Sequence, residues 1–220
     1  MARVADTVTH KSVGSYRSDS LSAHLRRRRW ERFARAFPDL ADMHVLDVGG
    51  DARSWRIAGL RPAHVTLLNV TAQEVTEDWW MTSVVGDACD MPSDLPTVDV
   101  VYSNSVIEHV GGHWRRQRFA EGIRGAADRY WVQTPYRYFP IEPHFLAPGL
   151  QHLPRAVQAQ IVIRWPIGNY AIVRDRATAL RRLMGIELLS RSELAAYFPS
   201  ATVERERLLG LTKSLIAVER

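Results

Sequence analysis

Apolar residues along the chain follow two alternating patterns: short continuous runs, and longer segments in which they recur every three to four positions. The run His-Val-Leu-Asp-Val at 44–48 halts at Gly49-Gly50, the signature of a buried strand that stops at a turn. Further strands are predicted at 64–70, 83–86, 98–103 and 129–133. A helix is predicted over 21–37, with Trp30, Phe33, Ala34 and Phe37 on one face, and another over 114–127, with Phe119, Ile123, Ala126 and Ala127 forming its stripe. Strands alternating with helices at this spacing imply a parallel sheet with right-handed crossovers.

The rhythm breaks between 134 and 168, where six prolines run from Pro135 to Pro166 among aromatic residues and histidines. Prolines at that density exclude regular interior structure, so a long loop is predicted there. It leads into a helix over 152–165 with Leu153, Val157, Ile161 and Trp165 in line. A second helix, over 172–184, aligns Val173, Ala177, Leu180 and Met184. Residues 134–185 thus read as a lid or pocket wall inserted after the fifth strand. Its helices either pack on their own domain, touch a membrane peripherally, or meet a second subunit, as in a homodimer. Polar residues 1–20 read as a mobile arm. Ser190 and Glu193 form a capping-box pattern that opens a helix to 198, and strands at 202–209 and 213–219 flank a turn at Gly210. Consecutive terminal strands with no crossover between them require at least one to run antiparallel. The expected fold class is therefore α/β: one doubly wound domain over 1–220, with a mostly parallel seven-stranded sheet, a C-terminal antiparallel hairpin and a helical insertion.

Composition narrows the class only modestly. The net charge of +5 comes almost wholly from arginine, since Lys11 and Lys213 are the only lysines. A basic balance admits anionic partners without selecting one. Arg26 to Arg29 read as a solvated helix face in preference to a phosphate patch. A single cysteine, Cys89, excludes an internal disulfide or a multi-cysteine metal cluster. No signal peptide or run of about 18 apolar residues is present, so a soluble, cytoplasmic protein is expected.

Four motifs in order resemble those of the Rossmann-like, class I S-adenosylmethionine-dependent methyltransferases, in particular their small type 11 branch. His44 to Gly50 is similar to the first motif, and Asn69 lies 22 residues after Asp47, where the family carries an acid on the ribose hydroxyls. Val84 to Ala88 (Val-Val-Gly-Asp-Ala) is similar to the third and Val98 to His109 to the fourth; the terminal hairpin resembles the family's reversed seventh strand. The resemblance implies an S-adenosylmethionine site formed by Asp47, Gly49, Gly50 and Asp51, by Asn69 and Val70, by Asp87 and Ala88 near the adenine, and by Ser103, Asn104 and Ser105. Two departures stand out: the usual Asp-x-Gly-x-Gly-x-Gly is reduced to Asp47-Val-Gly49-Gly50-Asp51-Ala-Arg53, and the ribose acid is Asn69, whose contact lacks charge assistance.

Charge separates this cofactor from a dinucleotide. A pyrophosphate needs a helix N-terminus and glycines for close approach, whereas Asp51 there would repel it. Asp47, Asp51 and Asp87 suit a cationic ligand instead. Methylating a hydroxyl requires a base, for which His109 or His144 oriented by Glu108 is expected. Glu108, His109 and His144 also make a conceivable divalent-metal set, disfavoured because Ser105 stands where relatives place a further carboxylate. The aromatic, proline-framed segment with Tyr136, Tyr138, Phe139, Phe145 and Trp165 suits a small-molecule acceptor: a saccharide, glycolipid or polyketide hydroxyl. The alternatives are a nicotinamide-dependent oxidoreductase and a basic nucleic-acid-binding protein, the latter disfavoured because aromatics and arginines are not interleaved on one face.

Overall fold

The structure is a computed structural model in which residues 21–75, 78–164, 173 and 175–220 are described. The arm expected at 1–20, and Trp165 of the expected helical stripe, lie outside these residues. The described chain falls into two compact units, the larger comprising Arg27–Phe139 and Gly185–Arg220.

In the larger unit, β1 (His44–Val48) carries Val45, Leu46 and Val48 at 1% exposure or less. Burial on both faces is what a central parallel strand between two helical layers demands. β2 (His64–Asn69), β3 (Met81–Val85), β4 (Val100–Asn104) and β5 (Tyr130–Pro135) join it in parallel. A closing hairpin of β8 (Thr202–Leu208) and β9 (Leu211–Glu219) completes a seven-stranded sheet of order β3-β2-β1-β4-β5-β9-β8. β9 alone runs against the others, inserted between β5 and β8. The expected antiparallel element is thus one strand, and β8 returns to the common direction.

Alternate residues of each strand feed two cores. On one face Val45, Leu67, Val100, Trp131 and Ile216 pack with Phe33 and Phe37 of α1 (Leu21–Ala36) and its C-terminal end, and with Trp55 of α2 (Ala52–Ala58). On the other, Leu46, Val101, Val132 and Ala217 pack with Phe119 and Ile123 of α3 (His113–Ala126) and Leu194 of α6 (Arg191–Tyr197). The capping box that opens α6 is formed in both directions between Ser190 and Glu193. The buried face of α1 is turned from the expected one: Arg29, Phe33 and Phe37 line it, Ala34 is only half-buried, and Arg29 is therefore not part of a solvated face.

The smaller unit contains β6 (Ile141–Glu142), β7 (Ala147–Pro148), α4 (Arg155–Arg164) and α5 (Arg176–Met184). The proline-rich segment is thus more ordered than a plain loop: Pro135 ends β5 and Pro148 sits in the short β6–β7 pair, both at strand termini where a missing donor is tolerated. The expected stripes of α4 and α5 are also out of phase. Gln158, Ala159 and Val162 are buried on α4 and Ala179 and Leu183 on α5, while Val157 and Met184 are exposed. Gln158 explains the first shift, because its Nε2 donates to the Leu153 carbonyl just before the helix, so a polar side chain takes an inward position. Among the described residues no helix is long and apolar enough to cross a membrane.

Phe33 joins the aromatic cluster, its ring centroid 4.8 Å from Tyr102, 5.8 Å from Trp131 and 6.3 Å from Trp55. Phe33→Ala is expected to destabilise the protein by about 3–5 kcal/mol in denaturant unfolding, because helix and sheet cannot close the resulting cavity independently.

Candidate functional site

The C-terminal ends of β1, β2, β3 and β4 line up at one edge of the sheet, and a topological switch lies at β1, flanked by β2 on one side and β4 on the other. That is where an open α/β sheet places its ligand crevice. Asp47 points into the edge with only 1% exposure. Its Oδ2 accepts a hydrogen bond of 2.7 Å from Trp55 Nε1 on α2, and its Oδ1 has no partner among the described residues. Burial pushes the carboxyl up to about 7, opposed by the Trp55 hydrogen bond and reinforced by the charge of Asp51. The Tyr102 phenol nearby is likewise raised, first by its own burial.

The two glycines that survive from the motif meet different requirements. Gly49 has φ 78°, and a Cβ there would come within 2.5 Å of Val106 Cγ2. At Gly50 a Cβ would overlap the Asp47 carboxylate itself. Gly50 is therefore the space into which the acid folds, while Gly49 makes room for Val106. Asp51 then caps α2: Oδ1 accepts from Ser54 N at 2.8 Å and Oδ2 from Ser54 Oγ at 2.7 Å. The helix N-terminus that a pyrophosphate would need already holds a carboxylate.

Asn69 ends β2 and its Nδ2 donates to the Gly50 carbonyl at 2.8 Å. A carbonyl can only accept, so the amide orientation is fixed, and Oδ1 has no hydrogen-bond donor among the described residues. Val70 beyond it is exposed. After β3, Asp87 accepts from Cys89 N at 2.9 Å and from Arg115 Nη2 at 2.7 Å, while Ala88 is buried. Burial works against the Asp87 charge, but the Arg115 and Cys89 hydrogen bonds hold its carboxyl below the usual range. Burial pushes the Cys89 thiol up to about 11, leaving it a packing residue. On β4, Ser103 is fully buried and its Oγ donates to the Val48 carbonyl at 3.1 Å, tying β4 to β1 in place of facing the crevice. Asn104 and Ser105 follow at the strand mouth, Ser105 with φ 59°.

The expected proton-transfer residues divide between the units. In the larger, Glu108 is buried and its Oε2 accepts from Thr134 Oγ1 at 2.9 Å. His109 lies next to it, Nδ1 at 3.2 Å from the Gly185 carbonyl, which puts the ring proton on Nδ1 and a lone pair on Nε2 of the neutral ring. In the smaller, His144 Nδ1 lies 2.7 Å from Glu142 Oε1, and Glu142 Oε2 accepts from the backbone N–H groups of His144 and Phe145 at 2.9 and 2.7 Å. Glu142, not expected as an orienting group, therefore fixes the tautomer of His144. The spacing Glu-Pro-His, which brings a side chain back to the second residue on, was the available signal. The Trp55 contact to Asp47 had one as well, an indole one helical turn past the cap. The Arg115 contact to Asp87 had none, since it joins residues 28 positions apart.

No protein-family model matches the sequence, and no curated protein matches it. Solved structures show what the chain is similar to in fold. A Rhodobacter sphaeroides protein described as a zinc-dependent alcohol dehydrogenase superposes with a TM-score of 0.61 at 14% identity, covering 88% of this chain and 89% of that one. The N-methyltransferase NodS from Bradyrhizobium japonicum WM9 gives 0.56 at 12% identity over 92% and 98% of the two chains. The N-terminal domain of EvdMO1, crystallised with S-adenosylhomocysteine and D-fucose, gives 0.53 at 15% identity over 89% and 82%. With its reversed penultimate strand position, the chain has the fold of the class I methyltransferases.

The acid–glycine contact generates a test on the protein alone. Because the folded pKa of Asp47 lies above its ordinary 3.8, its favourable contribution is complete at low pH and is lost as pH rises through about 7. Asp47→Asn removes that dependence. Its melting temperature relative to the parent is expected to rise steadily from pH 5 to pH 8, by the equivalent of about 2 kcal/mol.

Proposed function

We propose that the protein is an S-adenosylmethionine-dependent methyltransferase that methylates a hydroxyl of a small molecule, most simply a sugar-bearing one. The observation that carries this reading is the buried Asp47 carboxylate, folded against Gly50 at the mouth of β1, whose Oδ1 has no hydrogen-bond partner among the described residues. A buried acid with an orphaned oxygen asks for a donor or a cation, and an amino-acid ammonium is both. Asn69 Oδ1 is then the acceptor for the ribose and the loop of Asp87 and Ala88 the wall for the adenine. Bound there, S-adenosylmethionine supplies an electrophilic methyl on a sulfonium. The work left to the chain is to align the acceptor, exclude water and take up the hydroxyl proton. His109 or His144 is the base proposed for that proton, each with Nδ1 engaged so that Nε2 carries the lone pair. Tyr138 and Phe139, near the start of the insertion, are proposed to recognise the acceptor. The sugar found with the EvdMO1 domain supports that class of acceptor.

The dehydrogenase description of one neighbour favours a second reading, nicotinamide-dependent oxidation. Two features weigh against it. The dinucleotide-binding sheet has the order 3-2-1-4-5-6, whereas here β9 intervenes in reverse between β5 and β8. Asp51 also occupies the α2 N-terminus.

Calorimetry is expected to show one S-adenosylhomocysteine site with Kd of about 1–100 μM, tightening as pH rises through 7 because binding the ammonium ionises Asp47; NADH is expected to leave the melting temperature unmoved. Binding of NADH with no response to S-adenosylhomocysteine would overturn the proposal. Asn69→Asp makes a second check: it restores the missing acid yet sets a carboxylate against the Gly50 carbonyl, so affinity is expected to fall by about threefold or more.

A further inference from the structure

α1 carries an arginine where its inward face calls for an apolar residue. Arg29 shares that face with Phe33 and Phe37 and is 7% exposed. Its Nη2 donates to Glu206 Oε2 on β8 and its Nη1 to Asn104 Oδ1 at the end of β4, each at 2.7 Å. Burial alone would raise the Glu206 carboxyl, but the Arg29 charge and hydrogen bond, with Lys213 and Ser214, hold it below the usual range. Arg29 Nε remains without a partner among the described residues. A buried ion pair with an unfilled donor is poor value for stability, because an apolar pair of equal volume does as well. Its use is better sought in what it orients.

A guanidinium only donates, so Asn104 must present its oxygen to Arg29. The two N–H bonds of the Asn104 amide therefore turn the other way, and no hydrogen bond from Nδ2 exists among the described residues. The backbone is fixed too. Asn104 lies one residue past the Val48–Ser103 pair, level with Gly49. Ser105, which follows, is held in the left-handed region by bonds from its N and Oγ to the Gln133 O and Oε1, at 3.0 and 2.9 Å. Left-handed backbone at a serine persists only where its surroundings over-determine it, and such positions cluster where a group is presented in a set direction.

The polar groups of an adenosyl amino acid divide by type. Its ammonium and ribose hydroxyls donate, and Asp47 Oδ1 and Asn69 Oδ1 stand as acceptors. Its carboxylate only accepts, and a pair of amide N–H donors answers it. We infer that Arg29, anchored by Glu206, is a positioning residue that turns the Asn104 amide so that its N–H bonds hold the cofactor's carboxylate. This rests on the cofactor proposed above and adds a residue from a helix that none of the sequence motifs includes.

Asn104→Asp separates the roles, since it keeps, and charges, the acceptor facing Arg29 while deleting the donors. Calorimetry is expected to show S-adenosylhomocysteine binding at least about tenfold weaker, with the melting temperature unchanged or raised. The parent should also lose about tenfold or more for the decarboxylated analogue of S-adenosylhomocysteine, whereas Asn104→Asp should lose little further. The paired change Arg29→Met with Glu206→Leu removes both buried charges, so the fold is retained; Asn104 is then unanchored, and affinity is expected to fall several-fold. Equal S-adenosylhomocysteine affinity in the parent and Asn104→Asp, or an unchanged penalty for the decarboxylated ligand in that variant, would overturn the carboxylate contact while leaving the cofactor assignment intact. Unaltered affinity in the paired variant would overturn the role of Arg29. A parent that binds neither ligand removes both readings together.

Discussion

The larger unit is built around one close approach, the Asp47 carboxylate folded against Gly50 and tied to the Trp55 indole. A carboxylate at 1% exposure in an apolar sheet layer is costly, and the surroundings offset that cost only in part: among the described residues one donor reaches Oδ2 and none reaches Oδ1. The contact dictates much else. It demands glycine at position 50, it positions α2 through Trp55, and it places Asp51 at the helix start. Trp55 in turn joins the rings of Trp30, Phe33 and Tyr102, so the acid is coupled to the packing of α1 on the sheet.

Around that contact the crevice is polarised by residue type. The β1 and β2 tips present acceptors, Asp47 and Asn69, while the β4 tip presents a donor, Asn104, with an arginine behind it. A dipolar amino-acid tail carrying ammonium at one side and carboxylate at the other fits such a gradient. A pyrophosphate, negative throughout, does not.

Much of this was legible in the chain. β1 occupies the residues its hydrophobic run marks out, the capping box at Ser190 is formed, and the reversed closing strand follows from two consecutive strands without a crossover. These features are local, set by neighbours in sequence. What escaped the reading is of two kinds. Polar residues at inward positions, Arg29 on α1 and Gln158 on α4, mislead any phase assigned from apolar residues alone, because their burial depends on partners in Glu206, Asn104 and Leu153 that periodicity does not reveal. Ser103, which the resemblance places in the cofactor site, instead satisfies the Val48 carbonyl inside the sheet with its hydroxyl. Its neighbour Asn104 is the one that emerges.

The two strand-side ends of the inserted segment are stitched together before it departs. Tyr136 bridges to Leu189, Arg137 N donates to the Leu189 carbonyl, and the Arg137 guanidinium reaches both the Leu188 carbonyl and Glu193. Chain closure for whatever lies between is thereby met by the scaffold, and closure entropy grows only slowly with length. The segment between those stitches can therefore change in length at little entropic cost to the sheet it leaves.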